Sequence, residues 1–88
     1  MRPRPPDTDP VEAVRLLRRG DVIFLTFVDE FPGRLWKLVH ARREVPETLV
    51  RQLQAGGRFG RRTGRLVHQS DALLPVDEIS QMWRWVEP

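Results

Sequence analysis

"DVIFLTFVDEFPGRLWKLVHAR", residues 21–42, is the stretch on which the fold of this chain turns. Its first eight residues form a continuous run of β-branched and aromatic side chains, which predicts a strand over 21–28 buried on both faces. "DEFPG" breaks that run, with Pro32-Gly33 as turn punctuation. "RLWKLVHAR" fits two periods. Alternation sets Trp36, Leu38 and His40 against Lys37, Val39 and Ala41, whereas Leu35, Leu38 and Val39 also suit a helical stripe. The connection has the length of a hairpin loop and is too short for a crossover helix, so an antiparallel partner strand is favoured.

The flanking segments follow from their punctuation. "TDPVEAVRLLRRG" predicts a helix capped by Asp9, with Pro10 at its first position and Glu12 placed for a capping box. Val11, Val14 and Leu17 make its apolar stripe, and Gly20 ends it. "VPETLVRQLQAGG" predicts a second helix, opened by Pro46 and Glu47, facing inward through Leu49, Val50 and Leu53, and closed by Gly56. "RLVHQ" reads as a strand and "DALLPV" as extended chain. The tail "VDEISQMWRWVEP" divides between a heptad-like helix and an alternating strand. The preferred reading is one helical turn at 76–80 followed by a closing strand.

Short strands, two short helices and few crossovers predict an α+β domain. Its small antiparallel sheet would curl into an SH3-like or partly open barrel. Eighty-eight residues suffice for one such domain, taken as residues 10–88 behind a disordered, proline-stiffened arm over 1–9. There is no cysteine, hence no disulfide, thiol nucleophile or thiolate metal site. No apolar run is long enough to span a bilayer and no secretory signal opens the chain, so the expected location is the cytoplasm, without membrane contact.

Motifs for catalysis are weak. His40 and His68 lack the spacing of a metal site and read as strand residues. Ser70-Asp71 beside His68 reads as a turn, because adjacent strand residues diverge and cannot assemble a triad. The acid pairs Asp29-Glu30 and Asp77-Glu78 diverge likewise, and the glycines of "GGRFGRRTG" lack the ending of a phosphate loop. "LLRRGDVIF", residues 16–24, is a generic stretch that assigns no family; it is similar to the lead-in to the first strand of many small β-barrels and of papain-like hydrolases of the NlpC type. Those hydrolases need a catalytic cysteine that this chain does not have. The expectation is a non-enzymatic protein with no cofactor and no metal.

Charge supplies the functional lead. Residues 34–65 carry nine basic and two acidic groups, whereas 1–33 and 66–88 are mildly acidic. The block peaks in "GGRFGRRTGR", residues 56–65. A dense arginine block points to a polyanionic partner. The candidate contacts are Arg58, Phe59, Arg61, Arg62 and Arg65 of that loop, with Arg34, Lys37, Arg42 and Arg43. Phe59 could stack a base. Of the three tryptophans, Trp36 and one of Trp83 and Trp85 are expected in the core, with Trp85 named as the candidate partner contact. Two partners fit: nucleic acid (DNA or RNA), or the acidic protein surface of a larger nucleic-acid-handling enzyme such as RNA polymerase or a nuclease. In the second case the chain would act as a phage- or plasmid-type regulator or inhibitor. An exposed edge strand would also permit a homodimer.

Overall fold

The computed structural model describes residues 8–27, 29, 33–68 and 80–88. In chain order the elements are α1 (Pro10–Arg18), β1 (Ile23–Phe27), β2 (Arg34–Leu38), β3 (Arg43–Glu44), α2 (Glu47–Ala55), β4 (Gly57–Phe59), β5 (Arg62–His68) and β6 (Ser80–Val86). The strands form one antiparallel sheet in the order β3-β2-β1-β6-β5-β4, curled into a half-barrel. This is the α+β, partly open barrel with two short helices that the sequence predicts.

β1 and β2 pair as the opening stretch predicts, with Ile23 opposite Leu38 and Leu25 opposite Trp36. On its other side β1 pairs with β6, placing Ile23 opposite Trp83. The alternation is stricter than the continuous apolar run implies. Ile23 and Leu25 are buried, while Val22, Phe24 and Thr26 are only half-buried. The run therefore covers a one-layered sheet rather than a strand buried on both faces, because both helices pack on the same side. Ala13, Val14 and Leu17 of α1 and Leu49, Val50 and Leu53 of α2 form one core with Ile23, Leu25, Trp36, Leu38 and Leu66. We call this side of the sheet the inner face. Ile23, Leu38, Leu53, Val14 and Val50 are its most deeply buried side chains, each worth about 1.5–3 kcal/mol relative to exposure.

α1 begins as its sequence dictates. Asp9 Oδ1 accepts the Glu12 N–H at 2.8 Å, and Pro10 sits where a missing N–H costs nothing. The reciprocal half of the capping box does not form, since the Glu12 carboxylate turns to Arg15 at 2.6 Å and Arg43 at 3.5 Å. The buried stripe of α1 runs through Ala13 rather than Val11. Val11 instead lies against the β4–β5 turn, where a methyl on Gly60 would come within 3.2 Å of it. One helix thus touches β3 at one edge of the sheet through Glu12 and the opposite edge through Val11, spanning the open side of the curl.

The segment between α1 and β1 holds the β2–β3 loop. Asp21 is buried, and its carboxylate accepts the backbone N–H groups of Val22 (2.8 Å), His40 (2.8 Å) and Ala41 (3.0 Å). That clip fixes a loop whose last residue, Arg42, has φ 55°. α2 spans Glu47–Ala55, and Gly56 closes it by donating to the Gln52 carbonyl at 3.1 Å. The predicted extended segment over 71–76 and the helical turn over 76–79 lie outside the described residues, as do residues 1–7 of the predicted arm. Ser80 opens strand β6, so the tail forms the closing strand that alternation predicts. Among the described residues no helix is long and apolar enough to cross a membrane.

Candidate nucleic-acid interface

The stretch 56–65 is a β-hairpin. β4 and β5 pair through Gly57–Gly64, Arg58–Thr63 and Phe59–Arg62, leaving Gly60-Arg61 as a two-residue turn. Gly60 has φ 64°, the positive angle that a type II′ turn needs at its first loop position. Gly64 answers a different demand. A Cβ there would lie 2.5 Å from both Trp85 Cζ2 and the Val86 carbonyl oxygen, so Trp85 packs directly over the glycine. Both glycines are thereby accounted for by the fold.

Strand alternation divides the arginines between two faces. Phe59, Arg62, Gly64 and Leu66 share the inner face, and Arg58, Thr63 and Arg65 the outer one. Phe59 meets Trp85 edge-on at 5.9 Å and packs against the core. Trp85 also donates from Nε1 to Glu87 Oε1 at 3.2 Å. Trp36 is buried as expected, but Trp83 and Trp85 are both half-buried on the inner face, so neither is a free anchor. Among the described residues the buried indole N–H groups of Trp36 and Trp83 have no hydrogen-bond partner. Arg58 turns its Nε back onto the Gly60 carbonyl at 3.2 Å, Arg61 stands exposed at the tip, and Arg62 is exposed near Glu87. The hydrogen bond from Trp85, then Arg18 at 2.6 Å and the field of Arg62, hold the Glu87 carboxyl below its usual range.

The first half of the basic block does not join the hairpin as one patch. Arg34 pairs with Glu47 of α2 at 3.4 Å and Arg43 with Glu12 of α1 at 3.5 Å. β3 and β4 occupy opposite edges of the sheet, so Arg42 and Arg43 lie far along it from Arg58 and Arg61. Lys37 alone of this group stands on the outer face, opposite Phe24 on one side and Glu44 on the other.

The outer face gathers residues that the charge block does not reveal. Phe24 lies between Lys37 and Met82, Arg84 opposite Val67, and Arg65 opposite Val86. Lys37, Arg58, Arg65 and Arg84 are exposed, and Phe24, Val67, Met82 and Val86 are half-buried. Together the six strands carry seven cations and one acid, Glu44. Among the described residues Lys37, Arg58, Arg61, Arg65 and Arg84 form no ion pair, while Glu12, Glu47 and Glu87 engage Arg15, Arg18, Arg34, Arg43 and Arg51. Arg84 sits in the acidic third of the sequence, which hides it from a charge-window reading. The alternation of "MWRWV" opposes it to both tryptophans and would have exposed it.

His40 and His68 do not converge. His68 packs edge-on against Trp83 at 5.2 Å, while His40 lies in the β2–β3 loop, with β1 and β6 between their strands. Ser70 and Asp71 lie outside the described residues, among which no cluster of three metal-ligating side chains forms. A shallow recess lined by Leu16, Arg19, Gly20, Asp21, His40 and Ala41 has as its acid only the engaged Asp21. Comparison with protein-family profiles, with curated protein sequences and with solved structures gives no match for this chain.

Proposed function

We propose that this chain is a small non-enzymatic nucleic-acid-binding accessory or regulatory protein of the cytoplasm. It would grip phosphates with its arginine hairpin and the outer face of its sheet. The observation that carries the reading is the outer face of the sheet, where Lys37, Arg58, Arg65 and Arg84 stand exposed with Glu44 as the one acid on the described strands. Exposed like charges held at fixed positions repel one another, and a polyanion relieves that repulsion and releases its own counterions. Contacts of this kind position a nucleic acid without reading its sequence.

The test is an electrophoretic shift with increasing salt. Binding should fall steeply, and Arg61→Ala with Arg62→Ala should weaken it alike on unrelated sequences. Absence of binding at low salt refutes the reading. The half-buried Phe24, Val67 and Met82 between the cations favour, as the second reading, docking on an acidic face of a polymerase or nuclease. A pull-down after nuclease treatment separates the two. Loss of all partners supports nucleic acid, and retention of one large enzyme supports protein docking.

A further inference from the structure

We infer that the outer sheet face is a stacking platform for single-stranded nucleic acid, centred on Phe24. The inference rests on the nucleic-acid reading above and names its ligand class. Trp36, Phe59, Trp83 and Trp85 all project to the inner face, whereas Phe24 stands half-buried on the outer one. The register places Lys37 and Met82 directly beside it, and Arg84 and Arg65 lie in successive rows further along. From Lys37 on β2 to Arg58 on β4 the register crosses four strand spacings and runs six residues along the strands, a diagonal path of about 28 Å at roughly 4.8 Å per strand and 3.4 Å per residue. That path is long enough for about four nucleotides.

Ligand chemistry discriminates between duplex and single strand. A duplex offers phosphates outside and seals the faces of its bases within the stack, and its sequence is read by an element that enters a groove. A broad sheet face supplies no such element, and apolar side chains between its cations gain nothing from a phosphate backbone. A single strand alternates flat apolar bases with anionic phosphates. The outer face matches that alternation, with Phe24 between Lys37 and Met82, and Val67 beside Arg84.

The experiment measures fluorescence anisotropy of the full chain with three labelled probes of roughly 20 nucleotides, longer than the site one small barrel covers. These are oligothymidylate, oligouridylate and a blunt DNA duplex. The single strands should bind at least about tenfold tighter than the duplex, and Phe24→Leu should weaken them about tenfold while leaving duplex affinity unchanged. The ratio of the two single strands tells DNA from RNA. A duplex that binds as tightly as the single strands, or an unchanged affinity in Phe24→Leu, overturns the inference and leaves the nucleic-acid reading standing. Failure of all three probes, with one large enzyme retained in the nuclease-treated pull-down, overturns both and makes an acidic protein the occupant. Phe24→Trp gives a readout independent of whether Phe24→Leu folds. Binding should be retained and the added indole emission quenched by oligothymidylate, and emission that does not change on binding overturns the inference.

Discussion

Replacing Gly64 by alanine tests whether the hairpin glycines serve packing or ligand approach. A Cβ at this position meets Trp85 Cζ2 and the Val86 carbonyl oxygen at 2.5 Å, and Trp85 Cε2 at 2.8 Å. Ordinary contact begins at 3.4 Å, so the overlap is about 0.9 Å on two sides. Neither neighbour yields easily. The Trp85 ring is held by Phe59 at its edge and by its bond to Glu87, and the carbonyl belongs to the β6 backbone. Relief requires β6 to lift from β5, which places the cost at the upper end of overpacking, about 3 kcal/mol. For a domain of this size that lowers Tm by on the order of 15 °C. Urea unfolding followed by tryptophan fluorescence reads the change directly. Gly64→Ala in a Trp85→Leu background should cost less, since two of the three short contacts belong to that ring. A Gly64→Ala midpoint equal to wild type would refute the packing and return this glycine to a role in ligand approach.

Three further outcomes follow from the same geometry. Asp21→Ala strips three backbone N–H groups of their acceptor and should destabilise the fold by about 3 kcal/mol. Asp21→Asn should cost less, and denaturant midpoints check both. Glu12 and Glu87 have lowered carboxyl pKa values, Glu12 chiefly through its hydrogen bond from Arg15 and Glu87 through that from Trp85. A depressed folded-state pKa contributes stability that is present above the unfolded value and lost as pH falls through the folded one. Tm should therefore drop on acidification through and below the carboxylate range, and less so in Glu12→Gln with Glu87→Gln. Arg18→Ala breaks an exposed pair with Glu87 and should move the denaturation midpoint by less than about 1 kcal/mol.

The fold was legible where local chemistry was decisive. Asp9-Pro10 and Pro46-Glu47 set the helix starts, and the short "DEFPG" connection dictated an antiparallel pair. β3 and β4 escaped notice because two- and three-residue strands show no periodicity, and only the register of β2 and β5 creates them. The site was legible in part. Net charge found the hairpin arginines and Lys37, but a window along the sequence cannot tell which face of a strand a residue takes. Arg34 and Arg43 therefore looked like members of the same patch, although tertiary packing sets them against Glu47 and Glu12. Arg84 went unnoticed because it lies in the acidic third of the sequence, and Phe24 because its place between Lys37 and Met82 arises only when β2, β1 and β6 pair in the folded sheet.

The slope of log affinity against log salt for a single-stranded oligonucleotide tests the central claim most directly. Four outer-face cations, Lys37, Arg58, Arg65 and Arg84, predict a linear fall with a slope of about −3. Arg65→Ala with Arg84→Ala should make it shallower by about 1.4. A slope near zero, or one that the double substitution leaves unchanged, would contradict the assignment of this face to nucleic acid.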